Sequence, residues 1–217
     1  MNQTAGDLTV ELANAERRAY HHFYEDGLAE IVAGIIFALL GLLFVLEASA
    51  PPGSALAGIS ALGLPLIVIG GIYFGRYLVR RLKERITYPR TGYATFRRAS
   101  KGRRPWVAGV VAAGMGALIA MLFARAPASL AWIPALDGII IGAFLAFTAW
   151  RIDVPRFYGL AAFSALLGAT ITLRGVDETL GSALYFGGMG TALILVGGWV
   201  LAAYLRHTTP VGEEVKA

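Results

Sequence analysis

Long apolar runs separated by short polar stretches dominate the chain. Six runs are close to the ~20 residues that a helix needs to cross the ~30 Å hydrocarbon core of a bilayer. Their predicted bounds are 28–46, 55–75, 106–124, 130–150, 157–173 and 180–205. The pattern therefore predicts an all-α polytopic membrane protein with six transmembrane helices in a domain spanning 28–205.

Polar segments flank this domain at 1–27 and 206–217. Within 1–27, Leu8, Leu12, Ala15, Ala19 and Phe23 recur three or four residues apart, as on one face of a helix. This spacing favours a helix lying in the membrane interface. A polar tail that is ordered only near Tyr20 is the alternative.

Composition supports the membrane assignment and removes several kinds of chemistry. Of the 217 residues, 57% are apolar and 15% are charged, whereas soluble domains average about 25% charged. The chain has no cysteine, which excludes disulfides, thiolate metal sites and a cysteine nucleophile. No nucleophile-and-base constellation is visible, so we expect neither an enzyme nor a bound cofactor.

Basic residues fall almost entirely on one side of the predicted helices. They concentrate in a basic hairpin at 81–104, and only Arg125 and Arg174 lie in the loops of the other side. Cytoplasmic loops carry an excess of Lys and Arg. The distribution predicts a bacterial inner-membrane protein with both termini in the cytoplasm.

The predicted even-numbered helices end in a related pattern. Residues 85–90 and 151–156 both read R-I-x-x-P-R, and 206–210 keeps R-x-x-x-P. One interpretation is three helical-hairpin repeats. The other is coincidence, because Arg at cytoplasmic helix ends and Pro just beyond a helix end are both common.

Two acidic residues within the apolar runs are candidates for an intramembrane polar site. Glu30 shares a helix face with the small residues Gly34, Ala38 and Gly41, so it should point into the bundle. There it would either pair with a loop arginine or form a substrate or proton site. Asp137 is a deep carboxylate if its helix starts at Leu130. If Pro134 is the first helical residue, Asp137 lies in the first turn, near the outer surface and within reach of Arg125 or Arg174.

A candidate cytoplasmic cluster precedes the first helix and contains His21, His22, Glu25 and Asp26. Histidines and carboxylates four residues apart could bind a divalent metal on a continuous helix. Gly27 is expected to break that helix, so no metal is predicted. A polar turn that caps the helix and is stabilised by its dipole is the favoured interpretation.

The basic hairpin contributes Tyr88, Arg90 and Tyr93 to the same cluster. Aromatic residues among many arginines suit the anionic headgroups of membrane lipids or a protein partner, whereas nucleic acid is not an expected partner. We predict that residues 85–98 form an ordered β-hairpin against the cytoplasmic face. Arg90 should then approach Glu25, Asp26 or Glu30.

Two stretches resemble uncharacterised bacterial multi-pass membrane proteins. They are residues 24–31, Y-E-D-G-L-A-E-I, and residues 88–93, Y-P-R-T-G-Y. The resemblance implies a multi-pass membrane fold and carries no known activity.

Two classes of function follow from these observations. The first is a small-solute or ion transporter or channel, alone or as a homo-oligomer, in which Glu30 or Asp137 lines a water-filled path. The alternative is a non-transporting scaffold or a module that binds anionic lipid or protein through the basic hairpin. That alternative predicts a sealed bundle with both acids paired.

Overall fold

The computed structural model describes residues 24–51, 54–87 and 132–208, and this part of the chain is entirely helical apart from turns. Its five helices are α1 Leu28–Ser49, α2 Ala55–Ile86, α3 Ile133–Ile152, α4 Arg156–Leu173 and α5 Glu178–His207. All five are long and apolar enough to cross a membrane. The described part of the chain is therefore all-helical and compatible with a multi-pass membrane protein. The sixth predicted span, 106–124, lies outside the described residues.

The end of α2 differs from the prediction. The helix continues from the predicted end at residue 75 to Ile86, so the first residues of the predicted hairpin 81–104 are helical. Arg, Lys, Glu and Leu are good helix formers, and an i,i+4 pair between Arg80 and Glu84 supports this charged extension. Hydropathy indicates only where the apolar surface ends, whereas the backbone hydrogen bonds of the helix continue beyond that point to Ile86. Residues 88–98 of the predicted β-hairpin are outside the described residues.

Helices α1 and α5 share the closest packing in the bundle, along a seam of glycines. Gly34 of α1 faces Gly190 of α5, and a Cβ placed on Gly190 would lie 2.6 Å from the amide nitrogen of Ala38. Real Cβ atoms do not approach backbone this closely. Small residues allow such contact between membrane helices, so this seam fixes the position of α1 against α5.

Helices α3 and α4 form a tight hairpin. The chain reverses at Asp153, which adopts a left-handed conformation with φ 61°, and α4 begins directly after Pro155. Gly138 and Gly142 of α3 lie against the α4 backbone, where a Cβ on Gly138 would lie 2.7 Å from the carbonyl oxygen of Ser164. This hairpin packs against α5, and the buried core gathers where the three helices meet.

Contacts between helix ends establish the relative directions of the helices. The start of α1 meets both the end of α2 and the start of α4, through the Asp26–Lys83 and Glu30–Arg156 ion pairs. We call this the Asp26 end of the bundle. The opposite end contains the end of α1, the starts of α3 and α5, and the end of α4.

Candidate functional site

A fully buried carboxylate marks the Asp26 end. Asp26 is 0% exposed, and its Oδ1 accepts a hydrogen bond from the backbone amide of Leu28 at 3.2 Å. Its Oδ2 accepts from the hydroxyl of Thr87 at 2.9 Å and from the ammonium group of Lys83. Lys83 is itself only 3% exposed. The carboxylate therefore joins the start of α1 to the end of α2 through charge and hydrogen bonds together.

This arrangement revises the expected polar turn. Asp26 does cap the start of α1 through the Leu28 amide, but it lies in the protein interior rather than in solvent. Gly27 interrupts the helix with φ 68°, as anticipated. Glu25 is half-buried. The other members of the predicted cluster lie outside the described residues, and so does the predicted approach of Arg90. These members are His21, His22, Tyr88, Arg90 and Tyr93.

Glu30 forms the second ion pair, one helical turn further along α1. Its Oε1 accepts from Nε of Arg156 at 2.9 Å and from Nη2 at 2.5 Å. The same guanidinium donates to the backbone carbonyl of Tyr24 and lies 5.5 Å from the ring centroid of Phe157. Glu30 is thus paired with an arginine, and this partner, Arg156, is the first residue of α4 rather than a loop residue.

One carboxylate oxygen of Glu30 has no hydrogen-bond donor among the described residues. Glu30 is 2% exposed, and its buried Oε2 has no hydrogen-bond partner among the described residues. Leaving a buried polar atom unsatisfied costs ~1–3 kcal/mol, and more for a charged group. A donor at this oxygen would recover that free energy.

Glu30 lies at the polar end of a cleft of about 630 Å³. The cleft runs between α1 and α3, with side chains of α5 as its floor, and its walls are mainly aliphatic and aromatic. Representative wall residues are Phe37, Ile141, Phe144 and Leu193. Arg151 also borders the cleft, near the end of α3, and its side chain is exposed. The cleft is therefore apolar along its length and charged at one end.

Asp137, the other predicted site residue, lies at the opposite end. Helix α3 starts at Ile133, between the two predicted starts, so Asp137 is the fifth helical residue, roughly 6 Å along the axis at 1.5 Å per residue. It is half-buried. Asp137 forms no ion pair with a basic side chain among the described residues, which include Arg174. Arg125 is outside the described residues.

A buried pair of hydroxyls that was not predicted from the sequence lies near Asp137. The hydroxyls of Ser164 and Tyr185 lie 2.7 Å apart, and both side chains are 0% exposed. Ser164 also reaches the carbonyl of Gly138 at 3.0 Å, and Tyr185 reaches that of Asp137 at 3.1 Å. The two hydroxyl protons can fill two of these three contacts at a time, and the contacts join α3, α4 and α5. The sequence feature that indicates this pair is the presence of one of these hydroxyl side chains in each of two predicted apolar runs, 157–173 and 180–205.

The two ion pairs and the cleft make the Asp26 end the candidate site. A metal site there would need His21 and His22, which are not described; the described residues hold no group of three metal-ligating side chains. Comparisons with protein-family models, curated proteins and solved structures give no match to this chain. The argument for function therefore rests on the geometry of this site.

Proposed function

We propose that this is a multi-pass membrane protein that binds an amphiphilic, lipid-like molecule in the cleft at the Asp26 end. The observation that carries the proposal is the form of the cleft, which has mainly apolar walls and charged side chains only at one end. Ligand sites combine predominantly apolar walls with a few well-placed polar groups that orient the ligand. An apolar chain fits the walls, and a polar head fits beside Glu30 and Arg151.

The surroundings of Glu30 favour this function over a path for a hydrated ion. A water-filled path needs polar groups along its length, whereas the cleft offers mainly apolar side chains beyond its charged end. The α1–α5 and α3–α4 seams are closed by backbone contact at their glycines. The proposal keeps lipid as the partner but moves the working surface from the basic hairpin to the cleft.

Transport of a small solute or ion stays the second candidate. The observation that favours it is Asp137, a half-buried carboxylate in a membrane-type helix without a basic partner among the described residues. Such residues often mark ion or proton routes. Measuring solute uptake into vesicles with Asp137→Asn and wild-type protein separates this candidate from lipid binding.

Filling the cleft should abolish lipid retention. Ile141→Trp places a larger side chain in the cleft wall, whereas Leu166→Trp makes the same kind of change on an exposed face of α4 outside the cleft. We expect detergent-purified wild-type and Leu166→Trp protein to retain phospholipid, and Ile141→Trp to lose most of it. Quantitative mass spectrometry of extracted lipid measures this. Equal lipid content in the two variants would count against the proposal.

Six spans, rather than five, are part of the proposed architecture. Helix α2 ends at the Asp26 end, and α3 starts at the opposite end, so residues 88–131 have to connect the two ends. The apolar run 106–124 supplies a segment of sufficient length. Most basic residues of the described helices lie at the Asp26 end, which supports a cytoplasmic location for this end in a bacterial inner membrane.

This topology predicts opposite accessibility for two engineered cysteines. Arg85 and Trp132 are both exposed, and they bracket residues 88–131. Because the natural chain has no cysteine, Arg85→Cys and Trp132→Cys provide single labelling sites. We expect a membrane-impermeant maleimide to label only Trp132→Cys in intact cells and only Arg85→Cys in inverted vesicles. Labelling of both from the same side would contradict six spans.

A further inference from the structure

The polar end of the cleft carries two groups of opposite charge that have free hydrogen-bonding capacity among the described residues. Glu30 Oε2 is a buried acceptor without a partner among the described residues. Arg151 is an exposed guanidinium at the last turn of α3 and borders the same cleft. The ligand that satisfies both has a hydrogen-bond donor, preferably cationic, and an anionic group.

The ion pair with Arg156 does not satisfy Glu30 completely. Both Arg156 contacts go to Oε1, and the remaining donor of Nη2 goes to the carbonyl of Tyr24. Arg156 therefore balances the charge of the carboxylate while the second oxygen has no donor among the described residues. A primary ammonium group has three N–H donors, and one of them can satisfy such an oxygen without displacing the guanidinium.

The second group of the ligand follows from Arg151. An arginine guanidinium binds phosphate through two parallel hydrogen bonds, and it keeps its charge at any physiological pH. Arg151 lies near the end of a membrane-spanning helix. The ends of such helices lie at the depth of the lipid phosphates. A phosphate beside Arg151 would leave its acyl chains directed along the apolar walls.

We infer that the cleft binds a phospholipid with a primary ammonium headgroup of the ethanolamine type, with its ammonium on Glu30 Oε2 and its phosphate on Arg151. This inference rests on the proposed function and specifies its ligand. Hydrogen bonding and charge together select the headgroup, because choline has no N–H donor and glycerol has no positive charge. Hydrogen bonds to a charged group contribute enough for a preference of about tenfold over the choline lipid.

Site-resolved quenching tests the inference in a bilayer. Phe144, 64% exposed, lines the cleft, whereas Leu166, 67% exposed, lies outside it. A fluorophore is attached to Phe144→Cys or to Leu166→Cys in otherwise cysteine-free protein. Each protein is placed in phosphatidylcholine vesicles that contain increasing fractions of phosphatidylethanolamine with brominated acyl chains. We expect half-maximal quenching at Phe144→Cys at about one tenth of the mole fraction needed at Leu166→Cys.

Substitutions at the two proposed headgroup contacts test which residues cause the lipid preference. Glu30→Gln, which retains an oxygen for Arg156, should bring the preference at Phe144→Cys to within about twofold of bulk. Arg151→Gln changes an exposed side chain and should weaken quenching by brominated ethanolamine and glycerol phospholipids alike. Arg174→Gln, the matched change at the opposite end, should leave both unchanged. The Arg151 and Arg174 variants keep the test decisive if Glu30→Gln does not fold.

Each contrary result has a distinct meaning. Equal quenching by brominated ethanolamine and choline lipids, with lipid still lost in Ile141→Trp, overturns the headgroup inference and leaves the proposed function standing. Absence of quenching at Phe144→Cys, together with equal lipid content in wild-type and Ile141→Trp protein, means that another part of the chain or a second copy fills the cleft, which overturns both. Displacement of the brominated lipid by millimolar glycerophosphoethanolamine would identify a soluble headgroup compound as the ligand and overturn the lipid form.

Discussion

Replacing Lys83 with methionine is expected to lower the free energy of unfolding by about 3–5 kcal/mol, because it leaves the Asp26 carboxylate buried without its countercharge. Asp26 would keep only the Thr87 hydroxyl and the Leu28 amide as hydrogen-bond donors among its described partners. Methionine is close to lysine in length, so packing changes little. Equilibrium unfolding in mixed micelles with increasing denaturing detergent measures the loss.

Arg80→Met is the matched control, one turn earlier on the same helix. The side chain of Arg80 is 79% exposed and pairs with Glu84 at 3.2 Å. Exposed pairs of this kind contribute less than about 1 kcal/mol. The double variant Asp26→Asn/Lys83→Met should be more stable than Lys83→Met alone, because the unpaired charge is gone. Equal losses for Lys83→Met and Arg80→Met would contradict the buried position of the pair.

Two adjacent glycines of α5 should respond oppositely to the same substitution. A Cβ on Gly197 would lie 2.7 Å from the carbonyl oxygen of Gly27 and 2.9 Å from the amide of Ile31, whereas a Cβ on Gly198 meets nothing within 4 Å. Gly197→Ala should therefore cost about 2 kcal/mol through overpacking of the α1–α5 seam. Gly198→Ala should be neutral or stabilise the helix by up to about 1 kcal/mol.

Larger side chains widen the difference. Gly197→Leu should separate the start of α1 from α5 and cost about 3 kcal/mol or more, whereas Gly198→Leu should be tolerated on its open face. The same detergent titration, with circular dichroism as the signal, gives both values. Similar losses at the two positions would mean that helix propensity, rather than contact with α1, limits stability at this site.

The two predictions concern one structural unit. The Asp26–Lys83 pair holds the start of α1 against α2, and the glycine seam holds α1 against α5. Glu30 lies on the same helix and depends on both for its position in the cleft. Variants at Lys83 or Gly197 should therefore weaken lipid retention as a consequence of lost structure. Variants at Arg151 should weaken retention without loss of stability.

The locations of the helices could be predicted from the sequence, because the length and hydropathy of a segment determine whether it can span a bilayer. The five described helices match predicted apolar runs, with ends that differ by a few residues except at α2. The inward direction of Glu30 was also predictable, since Gly34, Ala38 and Gly41 share its face. The seven-residue spacing of Gly27, Gly34 and Gly41, matched by Gly190 and Gly197, was a further readable signal of the α1–α5 seam that the sequence analysis did not use.

Only the tertiary structure decided which basic residues pair with Asp26 and Glu30. Asp26 is 57 residues from Lys83 along the chain, and Glu30 is 126 residues from Arg156. Many basic residues shared the expected side of the membrane, and nothing local distinguishes Arg156 or Lys83 among them. The glycine seams and the α3–α4 turn determine which helix ends meet, and therefore which cations reach these carboxylates. The buried state of Asp26 and the unsatisfied oxygen of Glu30 follow from that assembly, because desolvation depends on all the helices that surround a group.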